Sequence, residues 1–167
     1  MSLLKYSFSL TPPVPAPAVA KHAYAYTEFH LELPSTWRQM PTDEENALNF
    51  VSDADSAAIV VSADYYDIAA DQAQGVAEVA LESRIDAVRQ SGDGPVSVLH
   101  RAIKPHSSGG GLELSLAAEA EGGHVHLYLG YVTSRKVLNF TMICPPGKDK
   151  AVALFNATVP GFRPRLP

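Results

Sequence analysis

Cysteine is all but missing from this chain: Cys144 is the only one in 167 residues. An internal disulfide is excluded, and so are zinc and redox motifs built on paired cysteines. Cys144 closes an apolar stretch at 138–143 and reads as a small buried hydrophobe rather than a nucleophile. Long apolar runs are missing too. No segment approaches the roughly 20 residues of a membrane helix, so a spanning segment is not expected. Positive charge is scarce: 13 lysines and arginines face 18 acidic residues, for a net charge of -5, which argues against nucleic acid as a partner. The sequence holds no Gly-x-Ser-x-Gly, no His-Glu-x-x-His and no dinucleotide fingerprint. The glycine-rich run at 107–111 lacks the lysine and the strand–loop–helix setting of a phosphate loop. No serine, histidine or aspartate falls in a local setting that activates a nucleophile. A binding domain is therefore expected ahead of an enzyme, and no cofactor is called for. The Ala18-Val19-Ala20 triplet looks like a signal-peptidase site. Lys5 and the prolines after it leave no continuous apolar region, so a cytoplasmic location is expected.

What is present fits one domain. A chain of this length buries roughly 70% of its unfolded surface and needs no metal or disulfide to hold it. Residues 3–10 suit a short strand. Pro12, Pro13, Pro15 and Pro17 make 11–20 an extended linker. The expected organisation is an N-terminal arm at 1–21 and a single domain at 22–167. The arm is read as a mobile terminus, with pairing to a sheet edge in a partner subunit as the alternative.

Residues 24–33 alternate into a strand that stops at Pro34. Trp37, the only tryptophan, is read as a core plug under a loop. Strands are expected at 47–51 and 57–63. The turn between them uses Asp53 and Asp55 for local hydrogen bonds rather than for a cation. A long helix is expected over 70–90. Ala73, Ala77, Leu81, Ile85 and Val88 share one face, and Val76 and Ala80 widen it. Gly75 in its first turns suggests close packing on the sheet. Residues 96–103 form a strand whose face stays open, because Val96 and Val98 point one way and Leu99 and Ile103 the other. A short amphipathic helix follows at 148–158, and Phe162 anchors the tail. This order of elements describes an α+β sandwich. Its largely antiparallel, twisted sheet has six to eight strands, packed with one long and one short helix.

Residues 112–144 read as a three-stranded meander. Gly122-Gly123 suits a two-residue hairpin turn. It pairs Glu119 with His126, Glu121 with His124, Leu116 with Leu129 and Leu114 with Tyr131. Ser134-Arg135 makes the second turn and pairs Val132 with Val137 and Leu129 with Phe140. One face then carries Leu112, Leu114, Leu116, Ala118, Leu127, Leu129, Tyr131, Leu138, Phe140 and Met142 as core. The opposite face places Glu119, Glu121, His124 and His126 together at the hairpin tip. His-x-His on a strand projects two rings the same way and makes half of a metal site. Cross-strand charge pairing explains the cluster with less, so no metal is assigned there.

The stretch Phe29-His30-Leu31-Glu32-Leu33-Pro34-Ser35-Thr36-Trp37 resembles the opening of the PsbP-like and DcrB-like domains. The likeness continues through the strands at 46–51 and 59–63 and the long helix. It ends with Val137-Leu138-Asn139-Phe140-Thr141-Met142, Pro145-Pro146 and Gly161-Phe162-Arg163-Pro164. In pattern it covers residues 24–164. The resemblance implies a PsbP-like sandwich and a non-catalytic binding domain. It extends to the adaptor chaperones of type VI secretion effectors, dimers that hold apolar effector segments against a concave sheet. A small-ligand carrier or accessory protein is the alternative, and a metal-dependent enzyme built on the hairpin cluster is the remote one.

The non-core face of the meander is apolar at its far end, through Tyr128, Gly130, Val132, Val137, Asn139, Thr141 and Ile143. A sheet face left to water stays mostly polar, so this end needs a cover. The cover is expected to be the short helix or the arm, or else a protein partner: a second copy, or an apolar peptide lying helix-in-groove.

Overall fold

The computed structural model of the protein describes residues 21–26, 28–92 and 94–166; the expected strand at 3–10 and linker at 11–20 lie outside them. The strands are β1 (Lys21–Ala25), β2 (Phe29–Pro34), β3 (Trp37–Met40), β4 (Ala47–Ser52), β5 (Ala57–Tyr65), β6 (Val96–Pro105), β7 (Leu112–Ala120), β8 (Val125–Val132), β9 (Lys136–Cys144) and β10 (Phe162–Pro164). The helices are α1 (Ala73–Gln90) and α2 (Lys148–Thr158), with single 3-10 turns at Ala70–Gln72 and Val159–Gly161. Seven strands form one sheet in the order β3-β4-β5-β9-β8-β7-β6, and three form another in the order β1-β2-β10. Every ladder is antiparallel.

The main core lies between the two sheets. Phe29, Leu31 and Leu33 of β2 and Phe162 of β10 meet Phe50, Ile59, Val61, Leu138, Phe140 and Met142 of the large sheet, with Ala151 of α2 at the margin. Phe162 anchors the tail, its ring centroid 5.1 Å from that of Phe140 and 5.5 Å from that of Phe29. Trp37 is buried in this core, but it sits in β3 rather than under a loop. The strand expected at 24–33 is two strands. A turn closed by the Tyr26 N–H on the Phe29 carbonyl folds β1 back on β2.

On the other face of the large sheet lies α1. Ala77, Leu81 and Ile85 bury themselves against Leu114, Leu116, Tyr128 and Val132. Gly75 is not a close-packing position, since nothing stands within 4 Å of where a Cβ would be. The undecided face of β6 is explained by a register shift between Val98 and His100. The extra residue of the bulge, Leu99, reverses the alternation. Val96 and Val98 before it and Ile103 after it therefore pair with Ala120, Ala118 and Leu114 on one face.

The meander is found, with one hairpin as expected and one shifted. Val132 pairs with Val137 and Leu129 with Phe140 across the Ser134-Arg135 turn. In the first hairpin Leu116 pairs with Tyr128, Leu114 with Gly130 and Ala118 with His126, one residue away from the expected register. The turn is longer than two residues. The Gly123 N–H donates to the Ala120 carbonyl at 2.8 Å, and Gly122 holds φ at 67°. Glu121 and Gly122 thus occupy the corners, with the left-handed residue third, as a type II turn requires. A one-residue slip moves every side chain of β7 to the other face relative to β8. Leu114 and Leu116 accordingly lie under α1, while Leu127 and Tyr131 point into the main core.

A buried ion cluster ties the small sheet to the large one. Glu28, just before β2, accepts two hydrogen bonds from Arg135 Nη2 at 2.5 and 2.8 Å and one from Lys136 Nζ at 2.5 Å. Lys136, 1% exposed at its side chain, also donates to the Arg165 carbonyl at 2.5 Å. Burial alone would raise the Glu28 carboxyl, but the hydrogen bonds and charges of Lys136 and Arg135 outweigh it and hold it below its ordinary value of 4.5. A depressed carboxyl stabilises the fold above the unfolded value, and that stability is lost as pH falls through the lower folded value. Glu28→Gln strands the lysine charge and is expected to cost about 3–5 kcal/mol by urea denaturation at pH 7. The wild type, but not the variant, should lose this contribution below pH 4.5 when melting is followed against pH.

Candidate functional site

A single helix is about 10 Å across, whereas six inter-strand spacings make the large sheet roughly 29 Å wide. α1 packs on β6, β7 and β8. Among the described residues the flank of α1 and the half of the sheet built from β4, β5 and β9 together form an open groove. The ladders assign its floor. Ala47, Ser62 and Asn139 form one cross-strand row, Asn49, Val60 and Thr141 the next, and Val51, Ala58 and Ile143 the third. Successive rows lie two residues apart, so all project to the face that carries α1. Most of these side chains are half-buried.

Two adjoining cavities lie toward the Asp64 end of this groove. One, of about 680 Å³, sits between α1 and the ends of β5 and β9 and is lined by Tyr66, Ile68, Val76, Val79, Ala80 and Val137 with Asp64, Arg84 and Asn139 among its polar groups. The second, of about 460 Å³, is lined by Glu44, Glu45, Asn46, Ser62 and Val60 and shares Asp64 and Arg84 with the first. Val79 and Tyr66 stand out at the rim, 68% and 55% exposed.

A polar network runs through the floor. Tyr128, 1% exposed, donates its hydroxyl to Asn139 Oδ1 at 2.5 Å. Asn139 Nδ2 donates to Ser62 Oγ at 3.2 Å and to Asp64 Oδ2 at 3.4 Å. Burial, with the Asp64 charge adding and Arg84 opposing, pushes the Tyr128 hydroxyl far above its ordinary value, so it remains a neutral donor. The Arg84 guanidinium stands 5.4 Å from the centroid of the Tyr128 ring, within cation–π range. Four buried polar atoms find no protein partner among the described residues: Asn49 Oδ1, Arg84 Nε, His126 Nε2 and Thr141 Oγ. All four belong to side chains on this face of the sheet or on the facing helix. Burial and the nearby His124 lower the His126 pKa, which favours a neutral ring.

The expected partner residues divide between the groove and the core. Asn139, Thr141 and Ile143 lie in the groove. Tyr128, Val132 and Val137 are buried in the cluster beneath α1, which covers them in place of the short helix, and Val137 also lines the larger cavity; the arm lies outside the described residues. Gly130 does not receive an approaching backbone. A Cβ there would lie 2.2 Å from the Tyr128 hydroxyl, so the glycine makes room for that ring on its way to Asn139. The hairpin cluster does not form as expected. Glu119 pairs with Val125 and Ala118 with His126, which puts Glu119 and His126 on opposite faces. Among the described residues no group of three or more histidine, cysteine, aspartate or glutamate side chains is placed to hold a metal. Cys144 is buried and its thiol is pushed up to about 11, chiefly by burial and then by Asp55.

Arg84, Asn49, Ser62, Asp64 and Val79 were not singled out by sequence. The available signal was the extra width that Val76 and Ala80 give the apolar face of α1, more than one line of contact needs. Gly130→Ala is expected to displace Tyr128 and cost about 1–3 kcal/mol by denaturant unfolding, as overpacking does. It should also alter the tyrosine absorbance near the groove.

Among the described residues no helix is long and apolar enough to cross a membrane. No family model and no curated protein matches the sequence. Among solved structures the chain is similar to cyanobacterial PsbP (CyanoP) from Synechocystis sp. PCC 6803, at 14% identity, over 90% of this chain and 96% of that one, with a TM-score of 0.64. At that identity the likeness speaks to fold alone: two helices on antiparallel sheets of seven and three strands make this a PsbP-like α+β fold.

Proposed function

We propose that this protein is a non-catalytic binding domain, an adaptor that holds an apolar helical segment of a client protein in the groove beside α1. The observation that carries it is the open half of the seven-stranded sheet, flanked by Val76, Val79 and Ala80 of α1 and by Tyr66. From Asp64 to Ala58 the floor runs about 20 Å along β5, which is the length of a helix of roughly 13 residues. Its width beyond α1 accepts one helix, so a bound segment would lie as a second helix on the same sheet. Residues 24–164 resemble in pattern the PsbP-like and DcrB-like domains, a family that includes adaptor chaperones of type VI secretion effectors, and that resemblance suggests a class for the client: the apolar segment of a secreted effector, held before export.

The larger cavity favours a second reading, a carrier of a small amphipathic ligand, because about 680 Å³ falls in the range of small-molecule pockets. A synthetic Leu/Ala-rich helical peptide of about four turns, titrated by fluorescence anisotropy, distinguishes them. The adaptor should bind it in the micromolar range, and Val79→Glu, at an exposed rim position, should abolish binding while leaving circular dichroism unchanged. Absence of peptide binding by the folded wild type would remove the adaptor reading.

A further inference from the structure

The charge around the groove carries a statement about its occupant. Glu44, Glu45, Asp64 and Asp67 line the two adjoining cavities, and Arg84 is the only lysine or arginine among their lining residues. None of these four carboxylates belongs to an ion pair among the described residues. Arg84 sits against the Tyr128 ring, and Asp64 is held by Asn139. Apolar character is uneven along the length as well. The larger cavity is walled by Val76, Val79, Ala80 and Ile68 with Asp64 and Asp67 beside them, whereas Glu44, Glu45, Asn46 and Asp64 stand at the other.

The floor adds a second observation. Thr141, 6% exposed, has its hydroxyl oxygen without a protein partner, in the same row as Asn49, whose Oδ1 is also unpaired. Buried polar atoms without partners are costly, and these two flank Val60, which lines the acidic cavity, without lining it themselves. The carboxylates at the rim call for donors on the occupant. A backbone helix interior offers no spare N–H groups, so the donors must be side chains or a helix end.

We infer that the groove selects an apolar segment bearing a lysine or arginine at one end, which seats its cation among Glu44, Glu45 and Asp64 while its apolar residues lie along Val76 and Val79. This rests on the adaptor reading and specifies the client's chemistry. Long basic side chains suit the geometry, since their methylene stems can cross Val60 and Ala47 before the charge meets the carboxylates.

Two Leu/Ala-rich peptides, identical except for a lysine pair or a glutamate pair at one end, test it on the full chain. The lysine peptide should bind about tenfold more tightly at low salt, and the gap should narrow in 0.5 M NaCl, as screened charge requires. Glu44→Gln combined with Glu45→Gln, both exposed positions, should narrow it in the same way without changing the circular dichroism. Equal binding of the two peptides would overturn the charge assignment and leave the groove as the binding site. Tighter binding of the glutamate peptide would overturn it in favour of Arg84 as the reader of charge. Failure of both peptides to bind would overturn the adaptor reading, and this inference with it.

Discussion

The width of the large sheet is the constraint on which the rest depends. Seven hydrogen-bonded strands cannot be covered by one helix on a face, because a helix spans little more than two strand spacings. The face toward β2, β10 and α2 meets the requirement with a second sheet and a second helix. Among the described residues the α1 face meets it only over β6, β7 and β8. Everything distinctive about the groove follows from that partial cover. Its floor mixes Val60, Val51 and Ile143 with Ser62, Asn49 and Asn139, a composition between that of a core and that of a solvated face.

Within the groove, packing and polarity are adjusted to each other. Tyr128 belongs to the cluster under α1, yet its hydroxyl reaches Asn139 at the groove floor. That reach exists because Gly130 leaves the space beside it. Arg84 closes the arrangement from the helix side by lying over the same ring. The boundary between buried core and open groove is therefore a hydrogen-bonded line rather than an apolar edge, which keeps the two environments distinct. At the start of β9, toward the small sheet, the Glu28, Arg135 and Lys136 cluster does the corresponding task between the sheets, fixing where the small sheet sits.

Much of the architecture was legible in the residues. The period-2 pattern at 57–63 and the spacing of Ala77, Leu81, Ile85 and Val88 located β5 and the buried stripe of α1. The Ser134-Arg135 turn and the span of α2 were legible for the same reason: local signals with one geometric solution. The first hairpin was not. β8 is buried on both faces along nearly its whole length, so hydrophobic alternation carries no information about which neighbour belongs on which side. The choice then rests on one extra turn residue, and Gly122-Gly123 permits both lengths. β6 was obscured by its bulge, which breaks the period that would have identified its face.

By itself, then, the sequence determined the α+β class, the long amphipathic helix, most strand positions and the presence of an apolar set around 128–143. These follow from periodicity and turn chemistry, which act over a few residues. Only the tertiary structure decided that β5 pairs with β9 across the α1 crossover, that α1 lies over one half of the sheet, and that Asp64, Arg84, Asn139 and Glu45 meet around a single groove. Those residues are separated along the chain and carry no shared motif. Their meeting depends on strand order, register and the finite width of a helix, none of which is encoded in any short stretch.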